Sequence, residues 1–176
     1  MIGLDEVKAH LRMESDWSEE DSLLTSLVNA AINVLEHQTG RTFNQGTREL
    51  SLDDWAEKIT LPWWPVTQVE SITYRGMDGQ QQTLSEQDYM LDQRLYPARI
   101  RVDQQPQTDD GHLPITVAVS VGEGSLPEDL KRAGLLLIGH LYEHREAVTV
   151  GVSGGVQELP MAVEYLVQPW RLMRIA

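Results

Sequence analysis

Between Thr47 and Val121 the apolar residues stop recurring every three or four positions and begin to alternate. A helix needs the first period and a half-buried strand the second, so this change of period divides the chain more firmly than any single motif. The alternation predicts strands at Arg48–Leu52, Lys58–Leu61, Gln68–Arg75, Gln81–Leu84, Tyr89–Leu91, Arg99–Val102 and Ile115–Val121. Asp78-Gly79 supplies a hairpin turn between two of them. Pro62, Pro65, Pro97, Pro106 and Pro114 punctuate the segment, which points to short strands with exposed edges rather than one long sheet.

On either side the period is helical. Leu4, Val7 and Leu11 share one face of a short helix within Gly3–Met13, with Asp5 and Glu6 in its first turn, where the dipole favours anions. A second helix is expected to start at Ser18 as N-cap, to carry Leu24, Leu27, Val28, Ala31 and Leu35 as its apolar stripe, and to stop at Gly40. After Pro127 a third runs through Leu130, Gly134, Leu137, Ile138 and Leu141. Leu135 and Leu136 make this helix apolar over much of its circumference, so it is expected to be buried on more than one side, for which packing against another copy is one solution. A short helix around Met161–Leu166 and the tail PWRLMRIA close the chain. The expected fold class is α+β: a helical body formed by N- and C-terminal helices with an inserted small all-β lobe, divided as 1–45, 46–123 and 124–176.

With 176 residues, 41% of them hydrophobic, such a chain can bury a core. It holds no cysteine, which removes disulfides, thiolate metal sites and thiol nucleophiles. The first residues, MIGLDEVKAHLRME, lack a basic stretch followed by an apolar one, and the run around Leu135–Ile138 is far short of a membrane span. A soluble chain that is not exported, with no membrane contact, is the expectation. The 27 acids against 14 bases, a net charge of -13, argue against gripping nucleic acid over a broad face, since each phosphate contact needs a Lys or Arg. An acidic wall that repels a duplex still suits a conduit past which DNA slides.

Two motifs raise chemistry. His140, Glu143 and His144 spell H-x-x-E-H, which places two imidazoles one helical turn apart with a carboxylate able to activate water, as in a zinc-dependent hydrolase. A third ligand is hard to find: Glu146 sits too close in the same helix, Glu158 lies beside a glycine-rich link, and Glu164 has little chain after it. The competing reading is a packing helix with polar members at His140, Tyr142, His144 and Arg145. Residues 148–157, VTVGVSGGVQ, contain no charge and no following Lys, so a flexible link suits them better than a phosphate cradle. No cofactor is expected.

Taken together, LDEVKAHLRME, HQTGRTF, LPEDLKRAGLLLIGHLYEHREAV and ELPMAVEYLVQPWR resemble the head-to-tail connector proteins of tailed bacteriophages, also called adaptor or head-completion proteins, in their longer variety with a β-rich insert. The likeness covers both helical ends, somewhat over half the chain. Within it the long helix closes on a Tyr-Glu-x-Arg-Glu pattern, filled here by Tyr142, Glu143, His144, Arg145 and Glu146, and the end on Leu159, Pro160, Pro169, Trp170 and Arg171. His144 thus falls where the pattern needs no histidine.

The resemblance implies a structural virion protein that catalyses nothing, made in the host cytoplasm and placed in the neck. It implies a ring of about a dozen copies under the portal protein that extends the DNA channel, with DNA passing through the lumen unread. The ring would offer a platform to a downstream neck, stopper or tail-completion protein. Tyr142, Arg145, Pro169, Trp170, Arg171 and Arg174 are then candidates for a portal or subunit interface, although Trp170 serves equally well as a cap on its own core. Gly151, Ser153, Gly154 and Gly155 are candidates for a link that orders on assembly. Trp55, Trp63 and Trp64 either face other neck components or fill a small core. The rivals are the zinc hydrolase and a protein-binding scaffold domain that forms no ring.

Overall fold

A computed structural model describes residues 1–94, 96–109, 111, 114–144 and 160–172. Four α-helices and seven strands are found among them, mixed α+β as the change of period requires. They form two compact units, one of Met1–Phe43 with Ser125–Arg171, the other built on Asn44–Gly124.

The first unit holds helices α1 (Leu4–Leu11), α2 (Asp21–Thr39), α3 (Glu128–Glu143) and α4 (Met161–Val167). The Glu6 carboxylate accepts the free Gly3 N–H at 2.9 Å and so satisfies one orphan donor at the start of α1. Gly40 ends α2 in the left-handed conformation at φ 73°, its N–H donating to the Glu36 carbonyl. The start of α2 differs from expectation. Ser18 is not the N-cap; the helix begins at Asp21 after Glu20, and the Ser18 carbonyl instead accepts the Asp21 N–H in a turn. The physical reason is Lys8. Its buried ammonium lies 2.7 Å from the Asp21 carboxylate and donates to the Ser15 carbonyl at 3.4 Å, folding residues 14–20 into a loop pinned from beneath.

Apolar stripes from all four helices meet in one core, with Val7, Leu24, Ala31, Leu35, Phe43, Leu130, Ala133, Ile138 and Val163 fully inaccessible to water. Each buried Leu, Ile or Val of this kind contributes roughly 1.5–3 kcal/mol of transfer free energy. Helix α3 packs on α1, α2 and α4, so Leu135 and Leu136 are half-buried within their own unit. The apolar circumference that suggested a second copy is largely met by these three neighbours. Gly134 explains how closely they approach: a Cβ there would lie 2.5 Å from Ile2 Cδ1 and 3.4 Å from Leu35 Cδ1.

The second unit holds β1 (Gly46–Leu52), β2 (Lys58–Thr60), β3 (Val66–Arg75), β4 (Gln81–Thr83), β5 (Tyr89–Asp92), β6 (Arg99–Val102) and β7 (Ile115–Val121). All pairings between these strands are antiparallel, in two sheets ordered β1-β7-β3-β4 and β2-β6-β5. Gly79, at φ 73°, closes the β3–β4 hairpin. Alternation puts Ile115, Val117, Val119 and Val121 of β7 inside, and Ile59 and Ile100 of the smaller sheet join the same core. Trp55, Trp63 and Trp64 pack against that core half-buried, Trp55 edge-on to Tyr74 and Trp64 edge-on to Tyr96. Core filling is therefore the role these three rings have in this unit.

Candidate assembly surfaces

The two histidines of the H-x-x-E-H helix lie against each other. The rings of His140 and His144 lie 4.3 Å apart at 37°, and His144 Nδ1 is 2.9 Å from the His140 carbonyl, so the second imidazole is turned onto its own helix. Among the described residues no three His, Asp or Glu side chains are gathered closely enough to hold a cation. Glu146 and Glu158 lie outside the described residues.

The predicted interface residues are found in three situations. Tyr142 is half-buried on the helical core and donates its hydroxyl to Glu20 Oε2 at 2.6 Å, fastening α3 to the loop that precedes α2. Trp170 is half-buried too: the Arg41 guanidinium sits 5.7 Å from its ring centre and Arg41 Nε donates to its carbonyl at 3.2 Å. Arg171 donates to Gln38 Oε1 at 2.9 Å and lies 3.7 Å from Glu164. The Pro-Trp-Arg sequence is thus folded back onto the C-terminal end of α2. Pro169 and Arg171 are both exposed. Arg145, Arg174, Gly151, Ser153, Gly154 and Gly155 lie outside the described residues.

Two surfaces escaped the sequence reading. On α4, Val163 and Val167 turn inward while Met161 and Tyr165, one turn apart, are 86% and 77% exposed. With Pro169 they continue one apolar stripe toward the tail. The spacing M-x-x-x-Y opposite V-x-x-x-V was the available signal. The other surface is on the small sheet, where the outward residues of three strands enclose a concavity of about 250 Å³ lined by Lys58, Met90, Asp92, Arg94, Pro97, Arg99 and Arg101. Register sets Lys58, Arg101 and Met90 in one row and Thr60, Arg99 and Asp92 in the next. Arg94 donates to both Asp92 oxygens at 3.0 Å, and this pairing holds the Asp92 carboxyl down at about 2. Arg101 donates to Asp103 at 3.0 Å. The signal here was K-I-T against R-I-R-V, each with its bases on the outward face.

Sequence and fold comparisons agree over nearly the whole chain. The profile of a family described as head completion protein matches residues 1–171. A chain in the solved virion of a native gene transfer agent (GTA) particle superposes with TM-score 0.76 at 25% identity, covering 99% of this chain and 91% of the other. A chain in the neck of an empty GTA particle, computed with C6 symmetry, gives 0.73 at 24% over 99% and 91%. One in the neck of a native GTA particle, computed with C12 symmetry, gives 0.70 at 23% over 98% and 92%. These last two share the fold. No curated protein matches the chain.

Proposed function

The chain belongs to the head completion protein family, a structural family and not an enzymatic one, and from that premise we propose that it is a connector subunit of a phage-like neck. About a dozen copies close into a ring beneath the portal, lengthen the DNA channel and carry the next neck or tail protein. The observation that supports this best is the family match across residues 1–171, joined to full-length likeness to a chain of a GTA virion. Necks solved with C6 and C12 symmetry contain chains of this fold, and both symmetries suit a twelve-membered ring.

In this reading the exposed stripe of Met161, Tyr165 and Pro169 on α4 is the portal-facing contact. Trp170 and Arg171 hold its C-terminal end in place through Arg41 and Gln38, and Tyr142 fastens α3, on which α4 packs, through Glu20. Arg145 and Arg174 belong to the same proposed contact by their place in the sequence. An exposed apolar stripe rimmed by charge is what a protein docking surface requires. DNA passes through the lumen without being read: an excess of 13 negative charges per copy repels the duplex rather than binding it.

Mass measurement of the full chain, alone and mixed with portal protein, tests the reading. A single copy or small oligomer alone and a ring of about a dozen on the portal is the expected result. A chain that binds portal as a monomer would be a scaffold, and the ring would be wrong.

A further inference from the structure

The small sheet's concavity gathers four of the chain's 14 bases. Two carboxylates, Asp92 and Asp103, offset Arg94 and Arg101, while Lys58 and Arg99 take part in no ion pair among the described residues. The surface is therefore cationic by about two charges, with Met90, 57% exposed, in its wall. DNA is a poor fit. A duplex backbone needs a row of unshared bases, and here half are shared, the wall is partly apolar, and the rest of the chain is acidic. An acidic segment with an apolar side chain in its middle fits better.

Such a segment is present in the same chain. Residues 14–19 read ESDWSE, with Glu14, Asp16 and Glu19 exposed and Trp17 37% exposed. The loop is already shaped: the Trp17 N–H donates to the Glu14 carbonyl at 3.2 Å, the Asp21 N–H to the Ser18 carbonyl at 3.2 Å, and Lys8 grips Ser15 and Asp21 from below. Little ordering entropy is left to lose when it docks. Three carboxylates match the cationic wall, and the indole ring suits both a thioether and arginine faces.

We propose that the concavity on β2-β6-β5 receives the 14–19 loop of a second copy of this chain, Trp17 seating on Met90 and the carboxylates on Lys58, Arg99 and Arg101. Donor and acceptor surfaces differ, so the contact is heterologous and propagates from copy to copy, as ring closure demands. This contact rests on the ring reading above and supplies one of its interfaces.

Zero-length carbodiimide coupling on an equimolar mixture of ¹⁵N-labelled and unlabelled full chain, assembled on portal protein, tests it directly. Lys58 should couple to Glu14, Asp16 or Glu19 in peptides of mixed isotope. The Asp16→Lys/Glu19→Lys and Arg99→Glu/Arg101→Glu variants should each lower ring yield at least about tenfold, with the fourfold exchange restoring it. Trp17→Ala should lower it too, at an unchanged melting temperature. Wild-type rings with Lys58 coupled elsewhere, or charge variants that assemble like wild type, overturn this contact and leave the ring intact. Loss of binding to a plain DNA duplex in Arg99→Glu/Arg101→Glu, at normal ring yield, reassigns the surface to DNA. A wild-type chain that stays monomeric on portal removes both readings.

Discussion

Single residues decide local geometry that no periodicity reveals. Gly122 follows β7 at φ 101°, and a Cβ there would meet the Asn44 carbonyl oxygen at 2.4 Å. Its own N–H donates to the Pro65 carbonyl at 3.1 Å, so the backbone cannot retreat without losing that bond. Any side chain is then strained against main chain, not against a flexible neighbour. Gly122→Ala should cost about 2–3 kcal/mol, seen as a lower midpoint in urea unfolding. The glycine itself was visible in the sequence; the approach of Asn44, nearly 80 residues away, was not. Lys8 makes the same point. It is 5% exposed because residues 14–21 fold over it, and that contact displaces the start of α2 from Ser18 to Asp21. Trp170 and Arg171 were legible as special residues, but their partners lie far off in sequence, Gln38 in the last turn of α2 and Arg41 just beyond its Gly40 cap.

Elements were far easier to read than their surroundings. Strands β6 and β7 alternate because each has a drier face and a wetter one, so Arg99–Val102 and Ile115–Val121 could be bounded to the residue. Helix α3 was read correctly as a helix buried on more than one side, but sequence shows how apolar a face is and not which neighbours cover it. Three helices of its own unit do. The exposed apolar surface lies instead on α4, a helix too short for its pattern to stand out, where Met161 and Tyr165 face outward. Replacing both with Asp should leave the thermal transition nearly unchanged, within about 0.5 kcal/mol, because exposed positions carry little folding energy. The same change should reduce portal-templated assembly at least about tenfold, because a central apolar contact usually dominates such an interface. A pull-down on portal protein with equal amounts of variant and wild type measures the second effect, and undiminished capture would remove α4 from the contact.

For the whole molecule, division of labour follows from charge and surface rather than from any catalytic group. Two units, one helical and one of paired sheets, each bury their own core, and among the described residues nothing gathers the ligands of a metal site. The H-x-x-E-H spelling was the sharpest chemical signal in the sequence, and the structure shows its two histidine rings 4.3 Å apart and tilted by 37° on a packing helix. What is left on the surface is a set of proposed docking surfaces: an apolar stripe on α4, a shaped acidic loop and a cationic concavity, on a chain with a net charge of -13. Those are properties of a part that is completed by its neighbours. The connector account is tested most directly by reconstructing the neck of intact particles at a resolution that traces this chain. It predicts an annulus of about a dozen copies directly beneath the portal, with the DNA path through its bore. The chain found as a single copy, or anywhere outside the neck, would contradict it.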